Sequence, residues 1–404
     1  MLHYDLGFTK SAFFAMINSL SKLLAGISLV CYCMISHAAA PAAIDQTDSL
    51  AACRLPEMHV RSDVGLGFPR NPFRLKALGE VRLTVLFVDF SDVPATISPQ
   101  QAMSIISPEA EKYFDAVSYG KLRLSLVPHY QWLRMNRTSA DYHFARGASF
   151  ATHRTYLQEA VQRAGTHVDY SQTDAILVIA NPAVKAIDYG PAFTAAPGYG
   201  IQAGGRELLN GATSGSDLSI LGWPWFSHEI SHALSLVDLA GPLPGTQDWH
   251  TYVGEFSVTG DPAGKAKELL AWERWQLGWL DDSQVLCAEG QKLQVRLTPI
   301  ERRGGNKAVI IPTGKTTAIV VESRRAEGYD RDLPRPGLLV YTIDTRLTSH
   351  QGAIRVQKLN GRAGDTRHRL APLQTGETLR LGKTSISNLG SDANGDLLQI
   401  ETMP

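Results

Sequence analysis

The chain has 404 residues, 44% of them hydrophobic, enough for one large or two ordinary domains with a sizeable core. Lys plus Arg equals Asp plus Glu at 39 each, and this zero net charge excludes the strongly basic footprint of a general nucleic-acid binder. The 19% of charged residues also excludes a disordered, highly charged chain.

Lys10 and Lys22 precede the apolar run from Leu23 to Ile35, and Ala38-Ala39-Ala40 supplies the small residues of a signal-peptidase site. The run is shorter than the ~20 residues that span a bilayer. Residues 1–40 therefore read as a cleaved secretory signal, with an uncleaved anchor as the alternative. The mature chain is expected outside the cell or in a periplasm, without stable membrane insertion. Cys31 and Cys33 leave with the signal, and Cys53 and Cys287 remain. An even pair in an oxidising compartment predicts one disulfide. The other reading makes Cys53 a thiolate that blocks a metal in a precursor.

Residues 41–78, rich in Pro, Gly and polar side chains, read as an extended arm. Glu80 to Phe90 is apolar and β-branched, a buried strand. Pro108 to Ser118 reads as a helix with Glu109 and Glu111 in its first turn, Leu122 to Leu133 as a strand, and Ser149 to Gly165 as another helix. Asp174 to Ala180 is a short central strand. Residues 181–222 hold many glycines and no sustained periodicity, so they read as loops with one edge strand at most. Helices are expected over 224–240 and 261–278, the second with Asp261 as N-cap and Pro262 at the first helical position. Residues 284–404 show short alternating runs, such as Leu293-Val295-Leu297 and Leu338 to Ile343, between Gly, Pro and Asp turns. The fold class is α+β, with a mixed region over 79–282 and an all-β region over 283–404, sandwich-like in pattern. The two parts carry opposite charge: 19 basic and 26 acidic residues over 41–282, against 18 and 12 over 283–404. That asymmetry lets them attract across an interface.

The chemistry lies in His228-Glu229-Ile230-Ser231-His232, an H-E-x-x-H motif. Phe226, Ile230, Ala233, Leu234 and Val237 fall on one stripe at helical spacing. The two histidines then sit one turn apart on the other side of the helix, neighbours at i, i+4. Imidazoles so placed can bind one Zn²⁺ at ~2.0–2.1 Å, with Glu229 beside the first ligand and able to hydrogen-bond a metal-bound water.

A third protein ligand is needed. Asp238 stands at the position of the last ligand in H-E-x-x-H-x-x-G-x-x-[H/D], with Ser235 where that pattern has glycine. A left-handed turn at Ser235 brings Asp238 back to the metal; a helix running straight through Ser235 points it away. In that second case Glu268 or Glu273 on the next helix, or His250, is the ligand.

Further blocks make the chain recognisable: Leu83 to Asp92 (LTVLFVDFSD), Tyr113-Phe114 with Ser118-Tyr119-Gly120-Lys121-Leu122, Ala271 to Leu280 (AWERWQLGWL), and Pro336-Gly337-Leu338-Leu339-Val340-Tyr341. With the zinc helix they span about residues 80–345, and the chain resembles the immune-inhibitor-A-like family of secreted zinc metallopeptidases. The resemblance implies a zincin-type catalytic domain, a mixed twisted sheet with an active-site helix, followed by a β domain. It implies a zinc endopeptidase acting on protein or peptide substrates, with His228 and His232 as ligands, Glu229 as general base and Asp238 as the matching acidic position. Ser235 replaces the family's glycine, Ala240 an aromatic residue, and Val258-Thr259-Gly260 a Met-Gly turn. The competing expectation is a weakly active or inactive zinc-binding secreted protein whose β domain binds a partner.

Weaker signals complete the reading. Asp392-Ala393-Asn394-Gly395-Asp396 places oxygens as a calcium loop does, but Met403 stands where a bidentate Glu is needed, and a hairpin using Asn-Gly is the better reading. His129, His143, His153, His167, His350 and His368 read as surface or satisfied core groups. Trp223, Trp225 and Trp249 fit a cleft lining or core packing equally well, and Tyr252 lies in the region of a possible oxyanion partner.

Overall fold

The computed structural model describes residues 50–59, 64–144, 146–242, 249–290 and 292–402. The expected signal segment lies outside them. Strand β1 (Gly79–Asp89) carries apolar side chains on both faces. Val81, Leu83, Val85 and Phe87 enter one core cluster, Leu86 and Val88 another. Such continuous burial suits a strand between two layers. β2 (Leu122–Arg134) and β3 (Ala175–Ala180) flank it, both parallel. β4 (Ala192–Thr194) and the small hairpin of β5 (Ile201–Ala203) and β6 (Arg206–Leu208) follow, and then β7 (Asn210–Thr213). β7 runs parallel to β3, and β4 closes the edge antiparallel to β7, giving the order β2-β1-β3-β7-β4.

Helices α1 (Pro99–Met103) and α2 (Glu109–Val117) follow β1, α3 (Phe150–Ala164) follows β2, and α4 (Asp217–Leu221) and α5 (Trp223–Ala233) follow β7. α2 and α5 cover one face of the sheet with Tyr113, Phe114, Val117, Phe226, Ile230 and Ala233. α3 covers the other with Tyr156, Leu157, Ala160 and Val161. Each large apolar side chain so buried contributes about 1.5–3 kcal/mol. α3 begins where expected, Ser149 Oγ accepting from Thr152 N at 3.1 Å.

From Val285 onward the regular elements are strands and short helical turns: β8 (Val285–Cys287), β9 (Leu293–Leu297), β10 (Ala308–Pro312), β11 (Thr317–Arg324), β12 (Gly337–Asp344), β13 (Ile354–Val356), β14 (Thr378–Leu381), β15 (Thr384–Asp392) and β16 (Gly395–Thr402). They form one sheet in the order β13-β12-β11-β10-β8 and a second in the order β14-β15-β16-β9. Alternation along β11 places Ile319 and Val321 in one core with Leu379, Ile386, Leu398 and Ile400 of the second sheet. Ala318 and Val320 face the other way, toward Leu66 of the arm and Trp272 and Trp275 of α6 (Ala271–Gln276). The fold is mixed α and β, mostly sheet. Among the described residues no helix is long and apolar enough to cross a membrane.

The arm is part of the core. Leu50, Cys53, Leu55, Val64 and Leu66 are buried in it. Trp272 Nε1 donates to Leu66 O at 2.8 Å, and Trp279 Nε1 to Ala77 O at 2.7 Å. Cys53 and Cys287 form a disulfide, with Cα atoms 5.8 Å apart across 234 residues of chain. That overturns the reading of Cys53 as a metal-blocking thiolate, because its sulfur is bonded to Cys287, the last residue of β8, and buried. The opposite charges of the two chain regions do meet: Glu255 is held by Arg367 and Arg369, both at 2.6 Å.

Two local expectations change and a third holds. Residues 181–222 contain β4 to β7 and α4 rather than loops with one strand, because these short segments are ordered by pairing with an existing sheet. A Cβ at Gly211 would lie 2.5 Å from Ile176 O, so this approach of β7 to β3 requires glycine. The helix expected over 261–278 is only α6. Upstream, Lys267 N donates to Tyr329 O at 3.3 Å and Glu268 N to Asp330 Oδ1 at 2.8 Å, and these long-range bonds hold the chain out of a helix. Asp261 instead accepts from Ala263 N at 2.9 Å in a turn. At 392–396 the chain does turn as a hairpin, with Asp392 paired to Gly395. Asp392 and Asp396 there pair with Arg296 at 2.9 Å and Arg325 at 2.7 Å.

Candidate metal centre

Gly222 (φ +66°) is the N-cap of α5, Pro224 lies in its first turn, and its apolar face is pinned to the sheet as above. It stops earlier than the expected residue 240, and the way it stops matters. Ser235 N donates to His232 O at 2.8 Å and Leu236 N to Ser231 O at 3.0 Å, the paired bonds of a Schellman cap. Ser235 takes φ +86° at the position glycine normally holds. The chain therefore reverses there and returns along the helix.

The arm secures the same end. Leu75 N donates to Ala233 O at 2.9 Å, Arg70 Nη1 to Leu234 O at 2.9 Å, and Gly65 N to Ser235 O at 3.0 Å. Three carbonyls at the helix terminus thus find donors, one of them a cation at the negative end of the dipole.

The reversal places the imidazoles and Asp238 together. His228 Nδ1 lies 2.8 Å from Val258 O, and His232 Nδ1 lies 2.9 Å from Leu236 O. A carbonyl oxygen only accepts, so each Nδ1 carries its ring's proton and each neutral Nε2 presents a lone pair. Those two Nε2 atoms are 3.1 Å apart, with the rings nearly perpendicular at 87°. Asp238 Oδ2 is 3.5 Å from His228 Nε2, and the three donor atoms lie within 4.8 Å of one another. Two lone pairs and a carboxylate converging this closely require a cation, either a proton or a metal ion. The titration behaviour expresses the same demand. Burial alone would lower His228, yet its hydrogen bond and charge contact with Asp238 lift it to about 9. Burial would raise Asp238, yet His228, with help from His232 and His350, pulls it down to about 2. The donor set of two imidazole nitrogens and one carboxylate oxygen can hold a divalent ion.

Glu229 is buried next to the first histidine, and burial pushes its carboxyl up to about 8. Its Oε2 accepts from Ala192 N, the first residue of the edge strand β4, at 2.6 Å. Tyr189 is the neighbour that sequence reading missed, since it lies in a stretch without periodicity. The charge of Glu229 first, then burial, raises its phenol well above the ordinary range, and Arg146 sits 4.6 Å over its ring. Tyr252, the residue considered for an oxyanion role, is buried in a core cluster, with Arg355 4.3 Å above its ring.

The other candidate ligands lie elsewhere. Glu273 accepts from Ser257 Oγ at 2.8 Å, Thr259 Oγ1 at 2.6 Å and Leu270 N at 2.8 Å. Glu268 holds Arg274 and accepts from Tyr329 N at 3.0 Å. His250 pairs with Asp261 at 2.8 Å, and with Glu255 the two form a second group of possible donors. Glu255, however, is already neutralised by its two arginines. Trp223 and Trp225 pack in the core, Trp225 Nε1 donating to Gly190 O at 2.9 Å. Of the histidines read as satisfied, His153 is buried with Nε2 2.8 Å from Thr213 Oγ1. His350 departs from that reading. It comes from the β12–β13 loop to within 3.4 Å of Asp238 Oδ2. Nothing near it in sequence marks it for that place.

In comparisons with known proteins, no family model matches this chain and no curated protein matches it.

Proposed function

We propose that the chain is a secreted zinc-dependent endopeptidase, with a zincin-type catalytic region over residues 79–282 and a sandwich-like β region over 283–404. The observation that carries this reading is the pair of Nε2 lone pairs 3.1 Å apart, with both Nδ1 atoms committed to carbonyls and a carboxylate alongside. Four parallel strands with an antiparallel edge strand beside the motif helix support it, as does the residue-level resemblance to immune-inhibitor-A-like peptidases. Export is supported by the disulfide and by the N-terminal pattern of the sequence.

His228, His232 and Asp238 would hold the ion. A bound zinc ion supplies Lewis acidity, polarising a carbonyl and lowering the pKa of a water to about 7. Glu229 is suited to be the base. A nearby dication favours its ionised form over the protonated form that burial favours. Ala192 N fixes one oxygen and so orients the other, which takes a proton from water and delivers it to the leaving amine. The edge strand β4, which begins at that same residue, suits an extended peptide added to the sheet.

The test is Glu229→Gln with metal content measured in parallel. The expected outcome is full zinc occupancy with cleavage of casein or a peptide reduced by at least ~10²-fold, the lower range for general acid–base catalysis. Cleavage that survives with metal retained would remove Glu229 from this role. A wild-type chain that binds zinc and cleaves nothing would favour the non-catalytic reading.

A further inference from the structure

Asp238 is the donor with least support from its own element. It lies beyond the end of α5 on irregular chain, and one of its oxygens, Oδ1, is taken by Ala240 N at 2.8 Å. The rest of its support comes from two consecutive residues more than a hundred positions away. Ser349 Oγ accepts from Asp238 N at 2.9 Å, and His350 N donates to Asp238 O at 3.0 Å. His350 Nε2 then lies 3.4 Å from Oδ2, the oxygen that faces His228.

We propose that His350 is a positioning residue of the metal centre, delivered by the loop between β12 and β13 to aim Asp238 Oδ2 at the two histidines. This rests on His228, His232 and Asp238 being a metal site. His350 is not among the three donors that lie within 4.8 Å of one another, so it acts on the carboxylate and not on the ion. At 3.4 Å its contact with Asp238 Oδ2 is long, within charge-contact range of the carboxylate. Holding it there is costly. His350 sits at φ +62°, a left-handed conformation unfavourable for a residue with a Cβ. Its Nδ1 is buried without a hydrogen-bond partner. Strain and an unpaired buried nitrogen at one residue persist where surrounding structure imposes them, typically beside a functional site. Here the imposing structure is the loop itself: Asp344 N bonds Ala353 O at 2.9 Å, and Gln351 N bonds Thr348 O at 3.1 Å. The β-rich region of the chain thus supplies most of the support for a ligand carried by the other region.

The full chain is tested as wild type, H350F, H350A and H350Q. Phe keeps the ring volume without a donor, Ala removes the ring but leaves the backbone bond to Asp238, and Gln restores a donor near the Nε2 position. Zinc affinity is measured by chelator competition, the coordination geometry by the visible spectrum of the cobalt-substituted proteins, and fold integrity by melting of chelator-treated samples. Expected are a ~10–100-fold loss of zinc affinity in H350F and H350A, the usual effect of an outer partner, with an altered cobalt spectrum. H350Q should recover most of both, and all four chelated proteins should melt together. Wild-type affinity and an unchanged cobalt spectrum in H350F and H350A would overturn the proposal. So would losses matched by equal destabilisation of the chelated proteins, or a failure of either variant to fold, which would make the loop a structural clasp only. If the wild type binds no zinc or cobalt, the metal reading itself falls, an outcome distinct from the others.

Discussion

Glu273 accepts a hydrogen bond from Thr259 at 2.6 Å, and through that bond it supports the turn packed behind the candidate metal centre. Ser257 and Thr259 flank Val258, whose carbonyl sets the tautomer of His228. Ser257 is at φ +67°, so the turn is held in a shape its own residues do not favour. Burial pushes the Glu273 carboxyl upward, while the hydroxyl and amide donors around it oppose that shift.

Replacing Glu273 with Gln turns one acceptor oxygen into a donor and leaves a hydroxyl or amide in this buried cluster unpaired. We expect a loss of about 1–3 kcal/mol in folding free energy, measured by urea unfolding. Metal stoichiometry should stay at that of the wild type. Loss of the metal from a normally stable E273Q protein would make Glu273 a ligand after all.

Ser235 gives a prediction of opposite sign. Its φ of +86° costs a residue with a Cβ about 1–2 kcal/mol, and its hydroxyl is buried without a partner. Ser235→Gly removes both penalties against the greater chain entropy of glycine, so the net should be a gain of about 1 kcal/mol. Ser235→Val should destabilise, because a β-branched residue tolerates this conformation least. Equal stability of S235G and S235V in denaturant melts would contradict this account of the helix end.

A pH dependence follows from His153. It is buried between Phe144 and Phe193, with ring centroids 5.0 and 5.3 Å away, and burial lowers it from 6.5 to about 3. The folded protein keeps this imidazole neutral while the unfolded chain protonates it. Stability therefore falls as pH drops from about 6.5 toward 3, with a slope of roughly 1.4 kcal/mol per unit while this group alone titrates. His153→Gln keeps a donor for Thr213 and cannot charge, so its stability curve should be flatter over that window. Parallel curves for H153Q and wild type between pH 6.5 and 4 would show that another group controls the acid response.

The helix with His228, Glu229 and His232 was legible because it depends only on neighbours within two turns. Its apolar residues recur at the period that brings Phe226, Ile230 and Ala233 to one face, and the same period sets the histidines together on the other. The strands β1 and β3 were legible for a similar reason, since buried apolar runs of that length have few alternatives. Residues 181–222 were not, because β4 and β7, three and four residues long, are too short to order without the sheet they join. The helix expected from Asp261 failed on the same principle in reverse: the hydrogen bonds that Lys267 N and Glu268 N donate to Tyr329 O and Asp330 Oδ1 outweigh a good local cap.

The sequence by itself determined that two imidazoles and a carboxylic acid share one helical turn, a matter of period and residue type. Only the tertiary structure decided which acid joins them. Asp238, Glu268 and Glu273 are chemically equivalent donors, and the choice among them depends on a left-handed residue at 235 and on a loop bearing Ser349 and His350. No local pattern records that meeting, because the loop and Asp238 are brought together by the packing of the core between them.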